Sequence, residues 1–113
     1  MRCIYLRMVK QSSCDQKRYK TEGELTKKVK QWLSKQPDVF YYKSSDRYKS
    51  GIPDILACAN GIFIAIELKK DGGTATPHQE LFIKEVIRAG GLGSVCYTVA
   101  DVSALVDEAR EMR

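Results

Sequence analysis

The sequence is poor in the residues that build common zinc and redox sites. It has one histidine, His78, which is expected at an exposed junction between a loop and a helix, and its four cysteines include no C-x-x-C pair. Because zinc ligands usually come in such close pairs, the sequence argues against a zinc site. Cys58 and Cys96 lie in apolar runs and are expected to be small buried residues with reduced thiols.

Long apolar runs are also missing. The first stretch, MRCIYLRMVK, carries charges too early and has too short an apolar run for a secretory signal or a membrane span. We therefore expect no membrane partner and an intracellular location. The 113 residues suffice for one domain with a single core and are too few for two.

Charge is distributed unevenly along the chain. Residues 1–50 contain 13 basic and 5 acidic residues, whereas residues 51–113 contain 6 basic and 9 acidic ones, so the net charge of +5 comes from the first half. A basic region beside an acidic cluster suits a polyanion held near a cation. A solvated, lysine-rich surface is the alternative, and charge alone leaves both open.

The apolar pattern predicts an α/β fold in which a mixed central sheet is flanked by helices, in the order α-β-β-β-α-β-α. Thr21 and Glu24 form a predicted capping box that opens the first helix, and a last helix is expected to start at Asp101 or Ser103. Residues 1–20 are predicted to be an N-terminal extension or arm, and residues 21–113 the domain. Strands are predicted at 39–43, 54–59, 62–69 and 94–99, with a helix at 77–89 whose crossover makes the last two strands parallel.

The stretch GIPDILACANGIFIAIELKK, residues 51–70, predicts a β-hairpin around the Asn-Gly pair at 60–61. A two-residue turn there places Asp54 opposite Glu67, with Lys69 on the same face. Facing carboxylates repel each other unless a positive charge lies between them. Carboxylate oxygens suit Mg²⁺ or Mn²⁺, so the cluster predicts a divalent metal site that activates water. A surface salt bridge between the lysine and the two acids is the alternative.

Two residues on predicted helices point to the same site. Glu22 falls on the apolar face of the first helix, where an acid needs a partner. Gln79 lies on the inward stripe of the second helix but also completes a capping box with Thr76, so a site contact and a capping role both remain open. Basic side chains interleaved with tyrosines suit phosphate contacts. The candidates for such phosphate contacts are Lys43, Arg47, Lys49 and Ser50.

Taken together, these motifs resemble a known family. GIPD, with the glutamate of ELK thirteen residues after its aspartate, resembles the PD-(D/E)xK nuclease signature. With TEGEL, KSGIPD, GIFIAIELKK, GG and TPHQ in order, the chain from about residue 21 to 100 resembles the VRR-NUC (virus-type replication-repair nuclease) family in its short stand-alone form. The resemblance implies a restriction-endonuclease-like core that hydrolyses DNA phosphodiester bonds with Mg²⁺ or Mn²⁺.

The resemblance also implies roles for individual residues. Asp54 and Glu67 match the metal ligands, joined by the backbone carbonyl of Leu68. Glu22 matches the helical acid and is a further candidate ligand, and Lys69 matches the catalytic lysine. Gln79 matches the polar residue on the following helix.

The same resemblance implies a substrate and an assembly. Stand-alone members resemble homodimeric phage Holliday-junction resolvases, which implies a homodimer that cuts branched or four-way-junction DNA in the cytoplasm of a bacterial or phage-infected cell. A non-catalytic module that binds branched DNA or DNA ends is the alternative.

Overall fold

A computed structural model describes residues 16–44 and 51–112 of the chain. Within those ranges, no helix is long and apolar enough to cross a membrane. The predicted α/β class and the predicted order of elements are confirmed. The elements are α1 (Glu22–Ser34), β1 (Val39–Lys43), β2 (Ile55–Ala59), β3 (Ile62–Leu68), α2 (Pro77–Arg88), β4 (Leu92–Cys96) and α3 (Val99–Glu111).

The four strands form one mixed sheet in the order β1-β2-β3-β4. The first two pairings are antiparallel, whereas β3 and β4 are parallel because α2 crosses over between them, as predicted. Asn60 and Gly61 have φ values of 55° and 77°, the left-handed geometry that a tight hairpin turn requires. Ile55 therefore lies opposite Ile66, which is the register that a two-residue turn predicts.

Helices cover both faces of the sheet. On one face, α1 and α3 bury the main apolar core against side chains such as Ile64, Ile66 and Leu68, all fully buried. On the other face, α2 packs on β3 and β4, where Ile83 lies directly against Gly93. Because α2 does not reach β1 or β2, no helix of the described ranges covers this second face at one side.

The end of β4 and the start of α3 differ from the prediction. The strand ends at Cys96, three residues before the end of the predicted strand 94–99, and α3 begins at Val99. Thr98 caps the helix: its Oγ1 accepts a hydrogen bond from the N–H of Asp101 at 3.0 Å, and the Asp101 carboxylate accepts one from the N–H of Thr98 at 3.2 Å. This capping box provides partners for two N–H groups at the helix end. Its effect outweighs the preference of Val99 for a strand.

The described end of the predicted arm packs against the domain. Tyr19 is 5% exposed and belongs to the core. Its carbonyl accepts a hydrogen bond from the N–H of Asp71 at 2.9 Å. Arg18 lies 3.2 Å from the Asp71 carboxylate and 4.7 Å above the centre of the Tyr97 ring. The boundary at residue 20 stays a prediction, and residues 1–15 lie outside the described ranges.

Candidate active site

The open end of the β2–β3 hairpin holds the two acids that the sequence singled out. Asp54 directly precedes β2, and its Oδ2 accepts a hydrogen bond from the N–H of Leu68 at 2.9 Å. The carbonyl of Asp54 accepts a second one from the N–H of Ser44 at 2.8 Å. Glu67 precedes Leu68 on β3, one residue beyond the Ile55–Ile66 pair. The hairpin register thus brings the two carboxylates close together.

Glu67 is the most unusual ionisable group of the site. Its side chain is 2% exposed, and the pKa of its carboxyl is raised from 4.5 to about 7, mainly by burial. The charge of Asp54 contributes to this rise, whereas the Lys69 ammonium, 3.5 Å from Oε2, opposes it. Oε1 of Glu67 is buried and has no hydrogen-bond partner within residues 16–44 and 51–112. A buried carboxylate oxygen without a partner is costly, and a bound cation removes that cost.

These donors fit a divalent cation such as Mg²⁺ or Mn²⁺. Two neighbouring carboxylates supply hard oxygen ligands, and the unpartnered Oε1 of Glu67 is available for one of the bonds. In the described part of the chain, no three His, Cys, Asp or Glu side chains lie close enough together to hold a metal. The remaining ligands would therefore be a backbone carbonyl, water and substrate oxygens, as is usual for Mg²⁺ at phosphate sites.

Glu22 lies on the side of α1 that the helical pattern predicts, but beyond the buried part of the helix. It is the first residue of α1 and is exposed, whereas Leu25 and Val29 on the same side of the helix are fully buried. The first turn projects beyond the core, so an acid there remains in water, where the helix dipole also favours it. An exposed acid does not need the partner that the apolar face suggested, and the catalytic role of Glu22 stays a prediction.

Gln79 takes the capping role that the sequence left open. Its Oε1 accepts a hydrogen bond from the N–H of Thr76 at 2.8 Å, and Oγ1 of Thr76 accepts one from the N–H of Gln79 at 3.2 Å. This reciprocal pair fixes the first turn of α2. A contact between Gln79 and substrate stays a prediction.

Lys43, which the sequence predicts to contact phosphate, lies beside Asp54. Its Nζ is 4.0 Å from Oδ1 of Asp54 and donates a hydrogen bond to the carbonyl of Ser44 at 2.9 Å. The β1–β2 pairing, which no turn motif specifies, places Lys43 opposite Ile55 and so next to the acid. The other predicted phosphate contacts, Arg47, Lys49 and Ser50, lie outside the described residues.

Comparison with known proteins identifies the family of this domain. The sequence model of the VRR-NUC domain matches residues 5–100. The chain belongs to the VRR-NUC family. A solved structure described as a VRR_NUC domain is similar to it with a TM-score of 0.62 and 25% sequence identity, covering 76% of this chain and 94% of that one. No curated protein matches the chain. Membership of the VRR-NUC family indicates a nuclease fold and implies DNA as the substrate.

The VRR-NUC domain contains one close contact beside the acids that the sequence did not reveal. Gly51 has a φ of +89°, and a Cβ added to it would lie 2.9 Å from backbone atoms of His78 in the first turn of α2. Pro53, between Gly51 and Asp54, is buried. The glycine and proline of the KSGIPD motif were the only signal in the sequence, and they do not specify which element the loop touches.

Proposed function

We propose that this chain is a metal-dependent DNA endonuclease that hydrolyses phosphodiester bonds in branched DNA, such as four-way junctions, as a homodimer. The observation that carries the proposal is the buried Glu67 carboxylate between Asp54 and Lys69, one oxygen of which has no hydrogen-bond partner among the described residues. Such a group serves no obvious purpose in the core, and it fits a site built to bind a cation. Membership of the VRR-NUC family supports the nuclease activity.

Asp54, Glu67 and the backbone carbonyl of Leu68 would hold Mg²⁺ or Mn²⁺. When bound there, the metal lowers the pKa of a water ligand and offsets negative charge on the phosphate. Hydrogen bonds from two backbone N–H groups fix Asp54 before metal binds, so little ordering is needed.

Lys69 is held beside the acids by both its backbone and its side chain. Its N–H donates a hydrogen bond to the carbonyl of Cys96 at 3.0 Å, which anchors the lysine to β4. Its ammonium, 12% exposed, can donate to the attacking water or to a phosphate oxygen as charge develops. In this proposal Glu22 and Gln79 orient water or a second metal ion from the two neighbouring helices.

DNA binding would rest on the basic half of the chain. Lys43 already lies beside Asp54, and Arg47, Lys49 and Ser50 follow it in sequence. Lysine and arginine contacts to phosphates make affinity strongly dependent on salt and independent of base sequence. A structure-selective enzyme needs such contacts more than it needs readout of the bases.

The homodimer proposal is supported by an exposed aromatic face, formed by Phe40, Tyr42 and Phe63. Their exposures are 71%, 58% and 43%. Phe40 lies opposite Cys58, which lies opposite Phe63, so the three rings share the side of the sheet that α2 leaves open. Among the described strands β1 is an edge strand. A second copy related by a two-fold axis along this edge would cover the same face on both subunits.

The nuclease proposal is tested by incubating the protein with a labelled four-way junction and a matched linear duplex, with and without Mg²⁺ or Mn²⁺. We expect cleavage of the junction only with metal. Asp54→Ala and Lys69→Ala should abolish cleavage and retain binding. Glu80→Ala and Lys84→Ala, which remove an exposed acid and an exposed lysine from α2, should leave cleavage intact.

Two results would contradict the nuclease proposal. Unchanged cleavage by Asp54→Ala or Lys69→Ala would refute the mechanism. A metal-independent shift of the junction without any product would instead support the alternative, a module that binds branched DNA or DNA ends without cutting it.

A further inference from the structure

The loop before Asp54 packs on α2 through a residue that has no room for a side chain. A Cβ at Gly51 would lie 2.8 Å from Cβ of His78 and 2.9 Å from its carbonyl carbon and oxygen, distances that real Cβ atoms essentially never show. Two of these three atoms belong to the backbone of a helix whose first turn is fixed by the Thr76–Gln79 capping box. The helix therefore cannot easily move aside, and a side chain at residue 51 would displace the loop.

Such a displacement would reach Asp54. The two residues between Gly51 and Asp54 are Ile52 and the buried Pro53. Proline fixes its own φ and restricts the residue before it, so this link is short and stiff. The loop is thus held at one end by the contact with His78 and at the other by the two hydrogen bonds of Asp54.

Close packing, not left-handed geometry alone, distinguishes Gly51. Gly90 also has a positive φ, +103°, yet a Cβ there would have no atom within 4 Å among the described residues, its chain neighbours aside. It lies after α2, at the end of the helix opposite the first turn. A side chain at Gly90 is strained only by its backbone angle, whereas one at Gly51 is strained by the angle and by contact with α2.

We propose that Gly51 is a positioning residue, whose close packing on the backbone of His78 sets the place of Asp54 relative to Glu67 and to the first turn of α2. This inference rests on the proposed metal site and adds to it. In the assembled site, the helix that carries Gln79 and the hairpin that carries the acids are held together by this contact.

The test compares Gly51→Ala with the matched control Gly90→Ala, both at a temperature where circular dichroism shows them folded. Mn²⁺ affinity is measured by titration calorimetry, and cleavage of the junction is measured under single-turnover conditions. We expect Gly90→Ala to match the wild type in both. Gly51→Ala should bind Mn²⁺ about tenfold more weakly, the loss that follows when a metal ligand is no longer held in place. It should cut on the order of a hundredfold more slowly, since misplacement by about 1 Å has an effect of that size on rate.

Equal Mn²⁺ affinity and equal cleavage rates in the two folded variants would overturn the proposal. If Gly51→Ala does not fold, Thr76→Val decides, because it loosens the α2 turn without changing the loop: weaker Mn²⁺ binding supports the proposal, and unchanged binding overturns it. If the wild type binds Mn²⁺ but cuts no DNA, the proposed nuclease activity is refuted. The Mn²⁺ affinities of the two variants then still test the positioning role of Gly51. Absence of Mn²⁺ binding by the wild type refutes both.

Discussion

Replacing Glu67 by glutamine tests the electrostatics of the site without DNA. The folded chain holds the pKa of this carboxyl at about 7, above its ordinary value of 4.5. A raised pKa means that the folded state binds the proton more tightly than the unfolded state does. The resulting stability is present below about pH 4.5 and is lost as the pH rises through about 7.

The size of this loss of stability follows from the shift in the pKa of Glu67. A difference between about 7 and 4.5 corresponds to roughly 3 kcal/mol, at about 1.4 kcal/mol for each pKa unit. Because the side chain is 2% exposed, solvent screens little of this penalty. Glutamine has nearly the same shape and carries no charge at any pH. Metal-free Glu67→Gln should therefore be more stable than the wild type at about pH 8.5, by up to roughly 3 kcal/mol, and similar to it at about pH 5.

The assay is urea denaturation in EDTA across this pH range, with Glu80→Gln as the matched control at an exposed position. We compare the free energy of unfolding of the variant with that of the wild type at each pH. Groups that the substitution leaves undisturbed contribute equally to both and do not affect this difference. Adding Mg²⁺ at high pH should restore stability to the wild type and have little effect on Glu67→Gln. Parallel pH profiles for Glu67→Gln and the wild type between about pH 5 and 8.5 would refute the reasoning.

Two further predictions concern the neighbouring lysine and the aromatic face. In the wild type, the Lys69 ammonium lowers the pKa of Glu67. Lys69→Met should therefore raise the pH at which the metal-free protein loses stability. If the same urea assay shows this pH unchanged, the result argues against the contact. Phe40→Glu should convert a dimer to a monomer in light scattering with little loss of thermal stability, because Phe40 is 71% exposed. Leu81→Glu, at an exposed apolar residue on α2, should remain dimeric; a dimer in both variants would exclude the aromatic face as the interface.

Local patterns predicted most of the elements because their causes lie within a few residues of one another. The Asn-Gly pair specifies the turn, and Thr76 with Gln79 specifies the start of α2. The same logic also applies to Thr98 and Asp101, but the β-forming residues before them suggested a longer strand than the one observed. Both signals, the β-forming residues and the capping box, are local. The error came from giving the first more weight than the second, and no tertiary contact is needed to explain it.

The exposure of Glu22 was not foreseen for a different reason. A helical pattern gives the direction of a side chain around the helix axis but not how far the helix extends beyond the core. Glu22 has the same direction as buried residues of α1, yet it lies at the helix end and is exposed. Only the packing of the helix against the sheet shows where the core stops.

The sequence by itself determined the hairpin register, and with it the meeting of Asp54 and Glu67, because a two-residue turn fixes which residues face each other. The tertiary structure alone decided how deeply Glu67 is buried, and therefore its raised pKa. It also decided that Lys43 lies beside Asp54 and that Gly51 packs on His78. Those contacts join elements far apart along the chain, and their geometry depends on how strands and helices pack, which no short motif encodes.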